Sequence, residues 1–345
     1  MTGEPVVSAV RPQWAVPGGR LLIEGAHLPL EKHGPPRVTI GGVRAPVMAA
    51  SSRRLRVQVP AGVDGGLAAI RIEPGGIEAG AVQVAQRLAT GLHQVDNPAF
   101  DGLGRLYATH SGGRGVKVPV PIFRIGRTGA REPLAVDLSN PTGFALGPDG
   151  MMYVSSRFDG QVHRLTTDDT VDLYAAELGV PTGLAFGRDG TLFVGDRSGQ
   201  IFRISPDRRV DTFATLPASV AAFHLAFGPD ECLYVSAPTL ASHDPIYRIT
   251  PDRLVETLLD EFGRPQGLAF DSSGDLYVVE ALAGAAGVAR VNIAEPTPRP
   301  VPLLSAPMLT GIAFDPAGGV VLASSDTLWR LDVPVSPLPR PFTGA

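Results

Sequence analysis

Lysine and cysteine are scarce in this chain of 345 residues, and each shortage excludes a class of protein. Only Lys32 and Lys117 are lysines among 30 basic residues, and 34 acidic residues leave a net charge of −4. The arginines are scattered among the acids and form no basic face, which argues against a nucleic-acid partner. Cys232 is the single cysteine, so no internal disulfide can form and nothing asks for an oxidising compartment.

Long apolar runs and helical periodicity are also missing. No run approaches the roughly 18 apolar residues that cross a bilayer, and the first residues lack the basic start and apolar stretch of a signal peptide. The sequence therefore predicts a soluble, cytoplasmic protein with no membrane partner, and export stays open if the chain is truncated. No window has the 3.6-residue period of an amphipathic helix, so we expect helix to be nearly absent. The 41 glycines and 33 prolines suit a turn-rich all-β protein.

A segment typified by PTGFALGPDGMMYVSS occurs six times, at intervals of 40 to 46 residues. Each copy has an apolar run, a tight turn such as Asp149-Gly150, and a second run ending in apolar and small residues, which is the pattern of a β-hairpin. A third run follows every copy and a fourth follows five of them. Repeats of this length, rich in strand signals, are typical of propeller blades. The copies begin at Val95, Pro141, Pro181, Ala222, Pro265 and Leu309.

The sixth copy lacks a fourth strand, because proline dominates the chain after Leu331. The segment from Val84 to Leu92 has the right spacing to supply that strand. The sequence therefore predicts an all-β chain in which a six-bladed β-propeller, residues 82–336, is closed by an early strand that pairs with the last blade. Residues 337–345 are assigned to a C-terminal tail.

One arginine occupies the same position of the third strand in every copy. A position repeated around a whole ring indicates a structural role, so we expect each guanidinium to pair with a neighbouring carboxylate or carbonyl. These residues are Arg124, Arg164, Arg203, Arg248, Arg290 and Arg330.

Residues 1–81 have a different pattern, with six or seven short alternating strands and Gly/Pro turns, which indicates an immunoglobulin-like sandwich. The segment resembles an IPT/TIG domain in Pro12, the Pro17-Gly18-Gly19 turn, Gly25, the Gly41-Gly42 hairpin and Pro60. The resemblance implies an accessory spacer or a protein-binding or carbohydrate-associated module. Trp14 or the Arg53-Arg54 pair could mark a contact surface. The alternative is that Trp14 packs in the interior and that the two arginines are solvated.

The repeats resemble NHL repeats, and their order resembles the six-bladed gluconolactonase, senescence-marker-protein and luciferin-regenerating-enzyme group. That resemblance implies a divalent metal over the central channel that activates water against a lactone carbonyl. Asp96 stands where the group has its first-blade carboxylate, but Thr142 or Thr182 and Gln266 replace the group's Asn and Asp ligands. One carboxylate predicts only weak binding of calcium, magnesium or zinc, so no cofactor is assigned with certainty. Asp96 has an equally good interpretation as a cap of the turn into the first blade.

His224 replaces the glycine that other copies place beside the channel. It is the candidate catalytic residue, as a general base or a metal ligand, or else it plugs the channel together with Phe223. A second ring at the same end of the hairpins would form a polar mouth with Asp96 and Gln266. Its candidate ligand-binding members are His110, Asp196 and Glu280, followed by Arg157 and Arg197, which would suit an anionic ligand. The loop after His110 resembles a mobile flap.

Three functions remain open from the sequence. The first is a propeller that binds a small molecule, a carbohydrate or a protein at one face, with the sandwich as an accessory module. The second is a metal-dependent lactonase or related hydrolase with degenerate metal ligands. The third is a lyase similar to the propeller enzymes that open cyclic streptogramin esters, which would need a channel histidine and metal-binding acids. Whether the chain is an enzyme is not decided by its sequence.

Overall fold

The computed structural model describes residues 4–30, 34–63, 65–282 and 286–339. Every regular element in these ranges is a β-strand. The expectation that helix is nearly absent is therefore confirmed for the part of the chain that is described. In the same ranges, no helix has the length and apolarity needed to span a membrane.

Nine strands form the N-terminal sandwich. They are β1 (Val6–Arg11), β2 (Trp14–Ala15), β3 (Arg20–Ala26), β4 (Arg37–Ile40), β5 (Val43–Ala45), β6 (Val47–Ala50), β7 (Arg54–Gln58), β8 (Gly66–Glu73) and β9 (Ile77–Val84). One sheet has the order β1-β3-β7-β6, and the other contains β2-β9-β8-β4-β5. Alternate residues such as Ala68, Ile70 and Ile72 of β8 are buried between the sheets, as a half-exposed sheet requires.

The remaining strands build six four-stranded antiparallel units, one for each sequence repeat. Sheet 1 is β11 (Ala99–Phe100), β12 (Leu106–Thr109), β13 (Ile122–Ile125) and β14 (Arg131–Leu134), and β10 (Gln86–Ala89) precedes it. Sheet 2 is β15 (Pro141–Leu146), β16 (Met152–Ser156), β17 (Gln161–Leu165) and β18 (Val171–Ala175). Sheet 3 is β19 (Pro181–Phe186), β20 (Leu192–Asp196), β21 (Gln200–Ile204) and β22 (Val210–Thr215).

Sheets 4 to 6 follow the same plan. Sheet 4 is β23 (His224–Phe227), β24 (Leu233–Ser236), β25 (Asp244–Ile249) and β26 (Val255–Phe262). Sheet 5 is β27 (Pro265–Phe270), β28 (Leu276–Glu280), β29 (Gly287–Val291) and β30 (Val301–Ser305). Sheet 6 is β31 (Gly311–Phe314), β32 (Val320–Ala323) and β33 (Leu328–Leu331), and β10 is its fourth strand because Gln86 pairs with Arg330 and Ala89 with Leu328.

Each pair of neighbouring sheets shares one apolar core. Separate clusters of buried residues join sheets 1 and 2, 2 and 3, 3 and 4, 4 and 5, and 5 and 6. A further cluster contains Phe100 and Ile125 of sheet 1 with Val321 and Leu328 of sheet 6. The second strands are buried on both faces as a result, for example Met152–Ser156 throughout.

The hairpin turns are one residue longer than a two-residue Asp-Gly loop. In sheet 2 the amide of Gly147 donates to the carbonyl of Met151 at 2.8 Å, which leaves residues 148–150 as a three-residue loop. Gly150 has a φ of +76° there, and in sheet 4 Glu231 takes the same conformation with a φ of +61°. A type I turn followed by one left-handed residue produces this geometry.

A hydrogen-bonded group of a tyrosine, an aspartate and an arginine recurs at the turn end of several sheets. In sheet 2 the Tyr153 hydroxyl donates to Asp149 at 3.1 Å, and Arg164 pairs with the same carboxylate at 3.3 Å. Tyr107, Tyr234 and Tyr277 repeat the bond to the turn aspartate, and each of the six repeated arginines forms an ion pair. Burial, followed by the charge of the aspartate, raises the pKa of Tyr153 above its ordinary range.

The sandwich joins sheet 5 through its strand β2. This strand lies parallel to both β9 and β30, so that the two domains share a nine-stranded sheet. The Arg20 amide donates to Ser305 Oγ at 2.6 Å, and the Val16 amide donates to the Ser305 carbonyl at 2.9 Å. Trp14 and Val16 pack into the core between sheets 5 and 6. Trp14 is therefore a packed residue at the domain junction, whereas Arg53 and Arg54 are exposed.

Candidate functional site

The loops before the first strand and after the second strand of each sheet lie at one end, which we call the mouth face. In sheets 1 to 3 these loops are residues 90–98, 110–121, 135–140, 157–160, 176–180 and 197–199. The hairpin turns form the opposite end, which we call the turn face. All the candidate residues predicted from sequence are located at or just below the mouth face.

A buried histidine cluster, Asp96, His224 and Gln266, lies beneath the mouth face. His224 Nδ1 contacts the Asp96 carboxylate, and its Nε2 lies 3.1 Å from Gln266 Oε1. The three residues come from sheets 1, 4 and 5, and their exposed fractions are 4%, 0% and 6% for Asp96, His224 and Gln266. Because a carboxylate only accepts, Nδ1 carries the proton of this contact. The structure thus joins three of the sequence-predicted residues.

This cluster does not match a hard divalent cation. It offers one carboxylate, one imidazole and one amide oxygen, whereas calcium or magnesium takes six or more oxygens. Asp96 Oδ1 already accepts from the Asn97 amide at 2.7 Å and contacts His224, so this oxygen is engaged. In the described ranges, no group of three or more His, Cys, Asp and Glu residues is arranged to hold a metal ion.

The threonines that replace the expected asparagines are buried and bind the backbone. Thr142 donates to the Asn140 carbonyl at 3.2 Å, while Thr182 accepts from the Phe223 amide at 2.9 Å. Phe223 has an exposed fraction of 0%. Thr142, Thr182 and Phe223 are therefore packed below the mouth face, where backbone groups occupy both threonine hydroxyls.

Two acidic members of the second ring hold the linkers between sheets. Asp196 accepts from the Val180 amide at 2.7 Å and from the Ser198 hydroxyl. Glu280 accepts from the amides of Gly263 at 2.7 Å and Arg264 at 2.9 Å. Both side chains are buried and engaged, so neither offers a free carboxylate to a ligand.

The basic members of the ring lie close together over sheets 1 to 3, with Arg114 of the loop after His110 and with His93, which sequence analysis did not select. We call His93, His110, Arg114, Arg157 and Arg197 the basic cluster. His93 and His110 occupy a parallel β-bridge. Burial lowers the pKa of Arg157, and the charges of Arg197 and Arg114 lower it further. Burial also lowers the pKa of His93, followed by the charges of Arg157 and His110.

The polar atoms of this cluster are poorly paired. The Arg157 guanidinium has no hydrogen bond or ion pair with any described residue, although the side chain is half-buried. Arg197 donates to the Val220 carbonyl at 2.9 Å, but its buried Nε has no partner within the described chain. Gln94 Oε1 and Ser111 Oγ are buried without a partner on the same face. No local pattern in the sequence marks His93, Gln94 or Ser111. They come together only where the loop of residues 90–98 pairs with the loop of residues 110–121, at the bridge between His93 and His110.

Asn140 fastens the long loop of residues 110–121. Its Nδ2 donates to the carbonyls of Ser111 and Gly113, and its Oδ1 accepts from the Gly115 amide at 2.7 Å. The Phe158 ring packs on Gly115, where a Cβ atom would lie 2.8 Å from the ring. The loop thus presents Arg114 in a defined position, and the expectation of a mobile flap is not supported by these bonds.

Comparison with known families and structures gives results for both parts of the chain. The IPT/TIG domain family matches residues 5–86. No curated protein matches the chain. A structure assigned as a gluconolactonase is 19% identical with a TM-score of 0.59, and the match covers 74% of this chain and 94% of that one.

Two further structures are similar along most of the chain. An auxiliary nutrient binding protein from Bacteroides thetaiotaomicron is 14% identical with a TM-score of 0.54, and the match covers 95% of this chain and 97% of that one. An inactive virginiamycin B lyase from Staphylococcus aureus, crystallised with quinupristin, is 15% identical with a TM-score of 0.54 and coverages of 96% and 99%. At these identities the likeness concerns the fold alone. The chain therefore carries an N-terminal IPT/TIG domain followed by an all-β region with a propeller-like fold.

Proposed function

We propose that the six sheets form a closed six-bladed propeller whose mouth face binds a small anionic molecule. Two observations support the ring: each sheet shares a core with the next, and sheet 6 shares one with sheet 1. Asn97 supports it further, since its Nδ2 donates to Leu268 of sheet 5 at 3.2 Å and its Oδ1 accepts from Ile312 of sheet 6 at 2.9 Å.

We place the domain boundary at residue 85, between β9 and β10. The sequence pattern assigned residues 1–81 to the sandwich and 82–336 to the propeller, with 337–345 as the tail. β9 extends the sandwich sheet to Val84, and β10 pairs with the last strand from Gln86 onward. The IPT/TIG match to residue 86 supports the same position.

The unpaired guanidinium of Arg157 carries the proposal of an anionic ligand. A half-buried cation beside two other arginines is unfavourable in the free protein, because burial and like charges both disfavour it. A carboxylate or phosphate placed between Arg157 and Arg197 would remove that penalty and accept bidentate hydrogen bonds. Each such charged hydrogen bond contributes roughly 1.5–3 kcal/mol, so a few of them support micromolar affinity.

A binding role suits the rest of the mouth face. The carboxylates Asp96, Asp196 and Glu280 already accept hydrogen bonds from protein groups, so none of them stands free at the mouth face as a general base. The nutrient-binding structures of similar fold offer an analogy for ligand binding at a propeller, at the level of fold only. A lactonase or lyase mechanism would need the buried His224 to reach solvent, which this arrangement does not provide.

The proposal is tested by a thermal-shift screen of small carboxylates, sugar acids and phosphate esters, followed by calorimetry on the best compound. We expect one molecule to bind per chain, and Arg157→Gln to weaken its affinity at least tenfold. Arg209→Gln is the matched control, since Arg209 is an exposed arginine on the turn face without a side-chain partner in the described ranges. Equal affinity in wild type and Arg157→Gln, or no binding by wild type, would contradict the proposal.

A further inference from the structure

A cavity lies on the turn face, away from the mouth-face residues described above. Its volume is about 720 Å³, which is within the range of small-molecule sites, and its wall is mostly apolar. Six phenylalanines line it, from sheets 3 to 6: Phe186, Phe193, Phe213, Phe227, Phe270 and Phe314. Residues 337–339 border it, and the Leu338 amide donates to the Phe270 carbonyl at 3.0 Å.

The cavity lies beside sheet 3, which departs from the repeat, as sheet 6 also does with Val321 at the position of the tyrosine. Sheets 1, 2, 4 and 5 have a tyrosine that donates to the turn aspartate, but sheet 3 has Phe193. Asp189 accepts instead from the Thr191 hydroxyl at 2.8 Å. Sheet 3 therefore lacks the tyrosine–aspartate bond that closes the turn end of sheets 1, 2, 4 and 5.

The ring of Phe193 also stands farther from its turn. A Cβ atom on Gly187 would lie 3.4 Å from Phe193 Cε2. The equivalent distances are 2.4 Å from Gly147 to Tyr153 and 2.6 Å from Gly228 to Tyr234. The ring packs edge-on against Phe213 and Phe227, at centroid distances of 4.8 and 5.2 Å, as the Tyr153 ring does against Tyr174 and Phe186.

A cation also lies in the wall of the cavity. Arg164, Arg248 and Arg330 each pair with the turn aspartate of their own sheet. Arg203 bonds only Asp211, through Nε at 3.1 Å, and its Nη1 and Nη2 have no partner in the part of the chain that is described. Two parallel donors at the edge of an aromatic wall suit a planar acidic group.

We propose that this cavity is a second binding site, for a small aromatic or apolar acid whose ring lies among the phenylalanines and whose acidic group pairs with Arg203. Aromatic rings contribute both buried area and edge-to-face contacts to such a ligand. The site is independent of the proposed anion site, because the two lie at opposite ends of the sheets.

The test uses 1-anilinonaphthalene-8-sulfonate as the probe, followed by fluorescence and by calorimetry for stoichiometry. We expect one probe to bind per folded chain. Phe193→Tyr keeps the ring and adds the hydroxyl that four other sheets have, so it should restore the tyrosine–aspartate bond and weaken binding at least tenfold. Circular dichroism and melting temperature check that this variant folds.

Three further variants separate the explanations. Arg203→Gln should weaken the probe severalfold, whereas Arg290→Gln, at the same position of sheet 5, should not. Arg157→Gln should also leave the probe unaffected, because a loss there would place the sulfonate at the mouth face. Unchanged binding in Phe193→Tyr, more than one probe per chain, or no binding by wild type would overturn the proposal.

Discussion

His224 is the residue whose environment departs most from the repeat pattern. It is fully buried, and it links Asp96 of sheet 1 to Gln266 of sheet 5. A buried hydrogen-bonded pair contributes only modestly to stability, but removing one partner leaves the other group without a partner in the interior. His224 therefore joins sheet 4 to sheets 1 and 5.

Replacing His224 with alanine should lower the free energy of unfolding by about 3–5 kcal/mol, because Asp96 would stay buried without its partner. Chemical denaturation measures the change, and His243→Ala, at an exposed histidine, should alter it by less than about 0.5 kcal/mol. The double variant Asp96→Ala, His224→Ala should lose less than the sum of the single changes. Additive losses would show that the two side chains do not interact.

His93 gives the basic cluster a dependence on pH. Its pKa is held below the ordinary value of about 6.5 by burial and by the charges of Arg157 and His110, so the imidazole is mostly neutral at pH 7. A bound anion favours the protonated form, and binding then takes up a proton. Since the folded pKa is lowered, this group also makes the free fold less stable as the pH falls below about 6.5.

We therefore expect affinity for the anion to rise severalfold between pH 7.5 and 5.5, measured by calorimetry with an anion whose own charge is constant over that range. His93→Asn should flatten this dependence, whereas His243→Asn should not. A profile that is equally steep in His93→Asn would assign the proton to another group.

At the level of elements, sequence patterns predict the strands better than the contacts between loops. The six hairpins and the IPT/TIG strands follow from alternation and turn residues, which are local. The loop of residues 110–121 resembles a flap from its glycines, yet Asn140 fastens it from the next sheet linker. A bond between residues 25 positions apart has no local signature.

The same limit applies to the candidate site. The hairpin register placed Asp96, Gln266 and His224 at one end of the sheets, and the structure joins them. The sequence does not reveal that the carboxylates of Asp196 and Glu280 accept hydrogen bonds from backbone amides, because these bonds depend on the path of the linkers between sheets. The sequence pattern also did not single out His93 and Ser111. These residues meet at the mouth face because two loops pair there, at the bridge between His93 and His110.

At the level of the whole molecule, the IPT/TIG domain is attached by a shared sheet and not only by a linker. Gly19 sits at this junction, where a Cβ atom would lie 2.3 Å from the Ser305 carbonyl oxygen. The close approach allows β2 to lie between β9 and β30. We expect the two domains to unfold together.

Gly19→Ala should separate the two domains, because its methyl group meets backbone that cannot move aside as a flexible side chain would. Calorimetry should show one unfolding transition for wild type and two for the variant, with the first about 1–3 kcal/mol less stable. Gly62→Ala is the control, since its Cβ would meet only ordinary contacts of 3.7 Å or more. A single unshifted transition in Gly19→Ala would mean that the junction does not couple the domains.

The central claim is that the mouth face holds an anion between Arg157 and Arg197. A crystal structure of the protein with the tightest anion from the screen tests it most directly. The account predicts electron density for one anion within hydrogen-bond distance of both guanidinium groups, with His93 nearby. An anion bound only on the turn face or the sandwich, with Arg157 left unpaired, would contradict it.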